Sequence, residues 1–201
     1  MKKIGLTGSI GCGKSTCIQI LKNHHILVFD CDEMNHQLMK KGQIPYQNIV
    51  KAFGDRILND QKEIDHQILS NIVFKDQDKK QQLEKLLHPS IKEAINKAFL
   101  AHRDEAIIVV EVPLLFEANW QAAFDEIWVI SCDDEIRRQR LLKRGMKLTD
   151  IERRMKSQMP QSEKIKRADQ IINNNGSLND LEIIIAELLD KEENHDASTT
   201  R

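Results

Sequence analysis

Eight residues near the start of the chain, Gly8-Ser9-Ile10-Gly11-Cys12-Gly13-Lys14-Ser15, have the types and spacing of a phosphate cradle. They match G-x-x-x-x-G-K-[ST] between an apolar strand-like run and a helix-like one. Glycines let backbone N–H groups close around a phosphate, and a helix opening at Lys14 adds the partial positive charge of its N-terminus. Lys14 would reach the β- and γ-phosphates of a nucleoside triphosphate, Ser15 would bind a Mg²⁺ ion bridging them, and Thr16 would support the α-phosphate side. An ordinary glycine-rich strand-to-helix turn shares the local pattern. Against it, Gly5, Gly8, Gly11 and Gly13, half of the chain's eight glycines, precede Lys14. The motif identifies a nucleotide, not what is done with it.

Three further groups suit phosphoryl transfer. Asp30 and Asp32 follow the second apolar run, where a carboxylate could accept the proton of an attacking hydroxyl, and Asp32 is the candidate base. The alternative is that one of the two caps the next helix, expected over 33–40. Arg137, Arg140 and Arg144 fall at i, i+3 and i+7, so one helix face would carry three guanidinium groups able to close on a triphosphate, with Arg140 central. A basic helix by itself is more often a solvated or nucleic-acid-binding face, and its place downstream of a phosphate loop reverses that balance. Glu111 interrupts the apolar run 107–110, which calls for a metal ion, Lys14 or solvent as its partner. Leu114, Leu115 and Phe116 would line an acceptor pocket or belong to the core.

The elements that must position these groups are legible. Runs 4–7, 26–30, 106–112, 126–132 and 170–173 are short and rich in β-branched and apolar residues without strict alternation, as in buried parallel strands, and helical stretches separate them. The pattern predicts a doubly wound, five-stranded parallel α/β sheet, with core segments 1–31, 106–132 and 162–190. Residues 32–105 form a polar helical insertion. Residues 133–161 form a basic helical lid whose second helix would end at Pro160, and 191–201 a tail without structure. His88, before Pro89, would end a helix.

Lys and Arg number 30 against 31 Asp and Glu, a net charge of −1, so no global field draws nucleic acid or a membrane surface. The four cysteines form no C-x-x-C pair and no disulfide frame, and the start of the chain reads as neither a signal nor an anchor. A soluble protein of the cytoplasm is expected. Neither N-K-x-D nor a D-x-x-G after the third strand is present, which speaks against a GTPase switch.

Together GLTGSIGCGKST at 5–16, DCD at 30–32, His88-Pro89, VPLLFE at 112–117, Arg140 with Arg144, Gln158 and ADQIINNNG at 168–176 resemble the bacterial dephospho-CoA kinases along nearly the whole chain. Only the first segment is general to phosphate-loop proteins. The resemblance implies Mg²⁺- and ATP-dependent phosphorylation of the ribose 3′-hydroxyl of dephospho-CoA. It implies Asp32 as base and Lys14 and Arg140 on ATP, with Gly8, Gly11, Cys12, Gly13, Ser15, Thr16 and Arg144. It also implies Asn175 near adenine, and His88, Leu114 and Phe116 with Asp32 on the acceptor side. The sequence departs from the family pattern at Ser9, Cys12 and Asn173, and Glu111 stands where an aspartate is frequent. A thiol at Cys12, beside a helix N-terminus, should have a lowered pKa and react readily. The nearest rival is another small-molecule or nucleoside monophosphate kinase, which acceptor choice separates.

Overall fold

A computed structural model describes residues 1–199, with side chains through Glu192. The chain folds as β1 (Lys2–Gly8), α1 (Lys14–Asn23), β2 (Leu27–Asp30), α2 (Cys31–Leu38), α3 (Ile44–Phe53), α4 (His66–Lys75) and α5 (Gln77–Ala101). It continues through β3 (Ile107–Glu111), β4 (Glu126–Ser131), α6 (Asp134–Lys143), α7 (Leu148–Ser157), α8 (Gln161–Lys166), β5 (Gln170–Asn173) and α9 (Leu178–Thr199). Every expected strand forms within one or two residues of its expected bounds.

The five strands make one parallel sheet in the order β2-β3-β1-β4-β5. β1 is central because it can be buried on both faces: Ile4 and Leu6 on one and Gly5 and Thr7 on the other are all buried, and it pairs with β3 from Lys2↔Ile107 and with β4 from Ile4↔Glu126. The chain leaves β1 toward one side of the sheet and later crosses to β4 on the other. The carboxyl end of β1 is therefore the switch point where such sheets hold ligands. One face is covered by α1 and α9, whose Cys17, Ile20, Leu21, Leu181, Ile185 and Leu188 pack with Trp128 and Ile130.

The chain divides into two units, one comprising Met1–Phe29 and the chain from Asp104 onward, the other Asp30–Arg103. The second unit is helical, its only pairing among described residues being a single bridge, Leu58↔Ile64. Its long helix α5 buries Leu87, Ile91, Ile95 and Phe99, four residues at four-residue spacing, and starts at Asp76, whose carboxylate caps Asp78 and Lys79. The expectation that the helix ends at His88 is corrected, since α5 runs through Pro89 to Ala101. Proline removes one donor from the helix, and the apolar stripe on either side of it outweighs that loss.

Two further expectations change. α7 ends at Ser157, and Pro160 instead stands at the N-cap of α8, where its missing N–H costs nothing. Lys191 and Glu192, expected in the tail, continue α9, and Glu192 accepts a hydrogen bond from Lys2 on β1. Side chains 193–199 and residues 200–201 lie outside those described. No described helix is long and apolar enough to cross a membrane.

Candidate active site

The site grows from the carboxyl end of β1. Gly8 is the last strand residue, and a Cβ there would lie 2.6 Å from the Ile130 carbonyl and 2.7 Å from Cys12 Sγ, so only glycine fits. Gly13 is the N-cap of α1 with φ 100°, a left-handed conformation, and a Cβ would sit 2.1 Å from Asn174 Nδ2. No side chain caps α1, so although the Thr16 N–H donates to the Gly13 carbonyl at 3.1 Å, the helix start keeps its partial positive charge for an anion.

Lys14 extends over the loop. Its ammonium donates to the Gly8 carbonyl at 2.9 Å and lies 3.9 Å from Glu111 Oε1 at the end of β3. Glu111 is buried, so of the partners expected for it Lys14 is the one at hand. Ser15 is exposed on the first turn and Thr16 half-buried behind it.

Cys12 contributes its backbone to the loop while its side chain is fully buried beneath it. Burial pushes the thiol pKa up, against the opposing charges of Lys14, Arg137 and Lys164. The expectation of a lowered pKa and a reactive thiol is therefore overturned: the helix N-terminus acts on the anion side of the loop, and the sulfur lies on the core side.

Two elements close the loop from the side. Arg140 of α6 donates through Nη2 to the Asn174 carbonyl at 3.0 Å, and Nη1 lies 3.5 Å from the Cys12 carbonyl. Asn174, just past β5, is buried and donates its amide to the same Cys12 carbonyl at 2.8 Å. Asn175 is exposed and exchanges hydrogen bonds with Asp133, its Oδ1 accepting from Asp133 N–H at 2.8 Å and its Nδ2 donating to Asp133 Oδ1 at 3.0 Å. Arg144 is the exposed C-cap of α6.

The row of three arginines is not one phosphate-facing set. Arg137 is buried, donating to the Ile10 carbonyl at 3.0 Å and pairing with Asp134 at 2.7 Å. It braces the loop from behind. Phe116 and Leu115 are also core residues, 1% and 0% exposed, so Phe116 cannot touch an acceptor here, whereas Leu114 is 40% exposed.

In the helical unit, Asp30 takes the capping role: its carboxylate accepts from the N–H groups of Asp32 at 2.8 Å and Glu33 at 3.1 Å. Asp32 stands exposed in the first turn of α2. His88 is half-buried in α5, where burial lowers its pKa despite Glu84. The structure thus brings Gly8, Gly11, Cys12, Gly13, Lys14, Ser15, Thr16, Arg140 and Asn175 to one end of the sheet, and sets Asp32 and His88 on helices of the other unit.

Sequence reasoning gave no role to Asn174, Glu117 or Lys164. Lys164 is wholly buried, 3.0 Å from Glu117 Oε1, and the Met159 N–H donates to the same oxygen at 2.9 Å. Continuing the β5 alternation from buried Ile172 past Asn173 would have placed Asn174 inward. No local pattern marks a buried lysine.

Comparison with known proteins bears on this arrangement. The family model described as dephospho-CoA kinase matches residues 2–180. The dephospho-CoA kinase of Aquifex aeolicus is 40% identical over 178 residues, 89% of this chain and 91% of that protein. That of Lactobacillus johnsonii is 38% identical, over 92% and 96%. Among solved structures, a Thermus thermophilus protein superposes with a TM-score of 0.82 at 28% identity, covering 94% of this chain and 97% of its own. The Campylobacter jejuni dephospho-CoA kinase gives 0.74 at 28%, covering 96% and 98%.

Proposed function

Because the chain belongs to the dephospho-CoA kinase family, and so carries out the ATP-dependent phosphorylation of dephospho-CoA in CoA biosynthesis, we propose that the phosphoryl group goes to the ribose 3′-hydroxyl with Asp32 as general base and Lys14 and Arg140 on the ATP phosphates. The observation that carries this reading is the uncapped start of α1 at left-handed Gly13, with Lys14 held over the loop between Gly8 and Glu111. The first-turn N–H groups and Lys14 bind and orient the β- and γ-phosphates. Arg140, fixed by Asn174, lies beside the same loop and offsets negative charge that spreads over the γ-oxygens in the transition state.

Asp32 accepts the proton of the 3′-hydroxyl as its oxygen bonds to the γ-phosphorus and the bond to the β–γ bridging oxygen breaks, releasing ADP. Asp30, committed to the cap, leaves Asp32 as the carboxylate for this role. Leu114 and His88 would bind the acceptor, and Asn175 would border the adenine.

The residues present fit a Mg²⁺ ion carried in on the nucleotide. Ser15 offers an exposed hydroxyl, and the described residues contain no cluster of three His, Cys, Asp or Glu, so phosphate oxygens and water would complete the shell. Such an ion would neutralise charge on the β- and γ-oxygens when bound.

The test is ADP release from Mg-ATP with dephospho-CoA, AMP, CMP, UMP or shikimate, with the product's mass and its phosphorylated position determined. Stimulation by dephospho-CoA with the phosphate on the 3′-oxygen is expected. Transfer to a different oxygen would reject the assigned acceptor position. Asp32→Asn should lower kcat by about 10²- to 10⁴-fold while keeping ATP binding. An active Asp32→Asn enzyme would place the base elsewhere.

A further inference from the structure

We propose that Gln158 is a positioning residue for the ATP phosphates, its side-chain carbonyl fixing the phosphate loop at Ile10 and thereby setting nucleotide affinity. The inference rests on the reading of residues 8–16 as the ATP site and deepens it. Ile10 lies mid-loop, and both of its backbone polar groups are held by side chains from distant parts of the chain. Its N–H donates to Gln158 Oε1 at 2.9 Å, and its carbonyl accepts from Arg137 Nε at 3.0 Å.

A loop with left-handed Gly11 and Gly13 has conformational freedom to lose when it closes on a phosphate. Hydrogen bonds made before the nucleotide arrives remove that cost from binding. Gln158 can serve as a fixed point because it is itself anchored. It is the C-cap of α7, and the next residue, Met159, donates its N–H to Glu117 Oε1 at 2.9 Å. Glu117 is in turn held by Lys164, which is wholly buried. The end of α7, the loop after β3 and the phosphate loop are thereby joined at two adjacent residues.

Two substitutions separate this role from simple packing. Gln158→Met keeps the length but replaces the carbonyl by a poor acceptor, whereas Gln158→Glu keeps an acceptor oxygen. A hydrogen bond of this kind contributes about 0.5–1.5 kcal/mol, so the full-length Gln158→Met protein should bind ADP about 2- to 10-fold more weakly by calorimetry. Its KM for dephospho-CoA should be unchanged and its Ile10 amide should exchange faster by NMR, while Gln158→Glu should keep the slow exchange. Wild-type ADP affinity in Gln158→Met, an equal loss toward both substrates, or fast Ile10 exchange in Gln158→Glu would overturn the proposal. Absence of ADP binding by the wild-type chain would instead reject the ATP-site reading and this inference with it.

Discussion

Cys12 gives the phosphate loop its backbone and the core its side chain, and the two faces of that one residue have opposite chemistry. The anion side is electropositive. The core side is apolar and raises the thiol pKa, and Cys17 below it is also fully buried. Maleimide at neutral pH should therefore leave both unmodified in the native protein and label them once denaturant is added, as read by mass spectrometry. Rapid native labelling of Cys12 would refute this placement. Glu117 poses the converse case. Burial alone would raise its pKa, but the Met159 N–H and the Lys164 ammonium outweigh that and hold it below its ordinary value of 4.5. A carboxylate depressed by folding contributes stability that is full above its unfolded pKa and is lost as pH falls through the folded one. The wild-type protein should thus lose this contribution only below about pH 4.5. Glu117→Gln, which leaves the Lys164 charge buried without its counter-ion, should cost about 3 kcal/mol at neutral pH in urea unfolding, and the part of the acid dependence due to this group should vanish.

At the scale of the element, α5 shows how packing overrides a local rule. His88-Pro89 has the form of a helix end, yet the buried stripe Leu87, Ile91, Ile95 and Phe99 continues through it. The Lys85 carbonyl, four residues before Pro89, is the one that loses its intrahelical donor. Pro89→Ala restores that donor, so it should raise stability in urea by up to about 3 kcal/mol. Destabilisation by Pro89→Ala would mean that the surrounding helices depend on a bend at that point. Helix α6 carries the related lesson about faces. Arg137 and Arg140 lie one turn apart, but one side chain points beneath the phosphate loop and the other along its edge. Spacing on a helix places residues in a row; the loop crossing that row decides which of them is buried.

For the whole molecule, occupancy of the phosphate loop should couple to the stability of the unit that carries it, since an anion bound only by the folded state stabilises it by mass action. At a hundred times its Kd, Mg-ADP should add about 2.7 kcal/mol, which for a chain of this size is about 5–10 °C in Tm. Lys14→Ala should lose most of that shift while unfolding at a Tm near that of the ligand-free wild type. An undiminished shift would assign the nucleotide to other residues. The sequence settled the sheet and its phosphate loop, because short β-branched, apolar runs alternating with helical stretches favour a parallel sheet and because glycines at fixed spacing before Lys14 have few other uses. It also determined the family, through segments whose residue types are constrained jointly. Which of several equivalent side chains does what was settled by tertiary contacts. Asp30 caps and Asp32 does not, Phe116 is core while Leu114 is exposed, and the Cys12 sulfur turns inward. Gln158, Glu117 and Lys164 meet around the loop from positions more than a hundred residues beyond it. Those outcomes depend on contacts between segments far apart in the chain, where burial and hydrogen-bond geometry act and sequence periodicity carries no information.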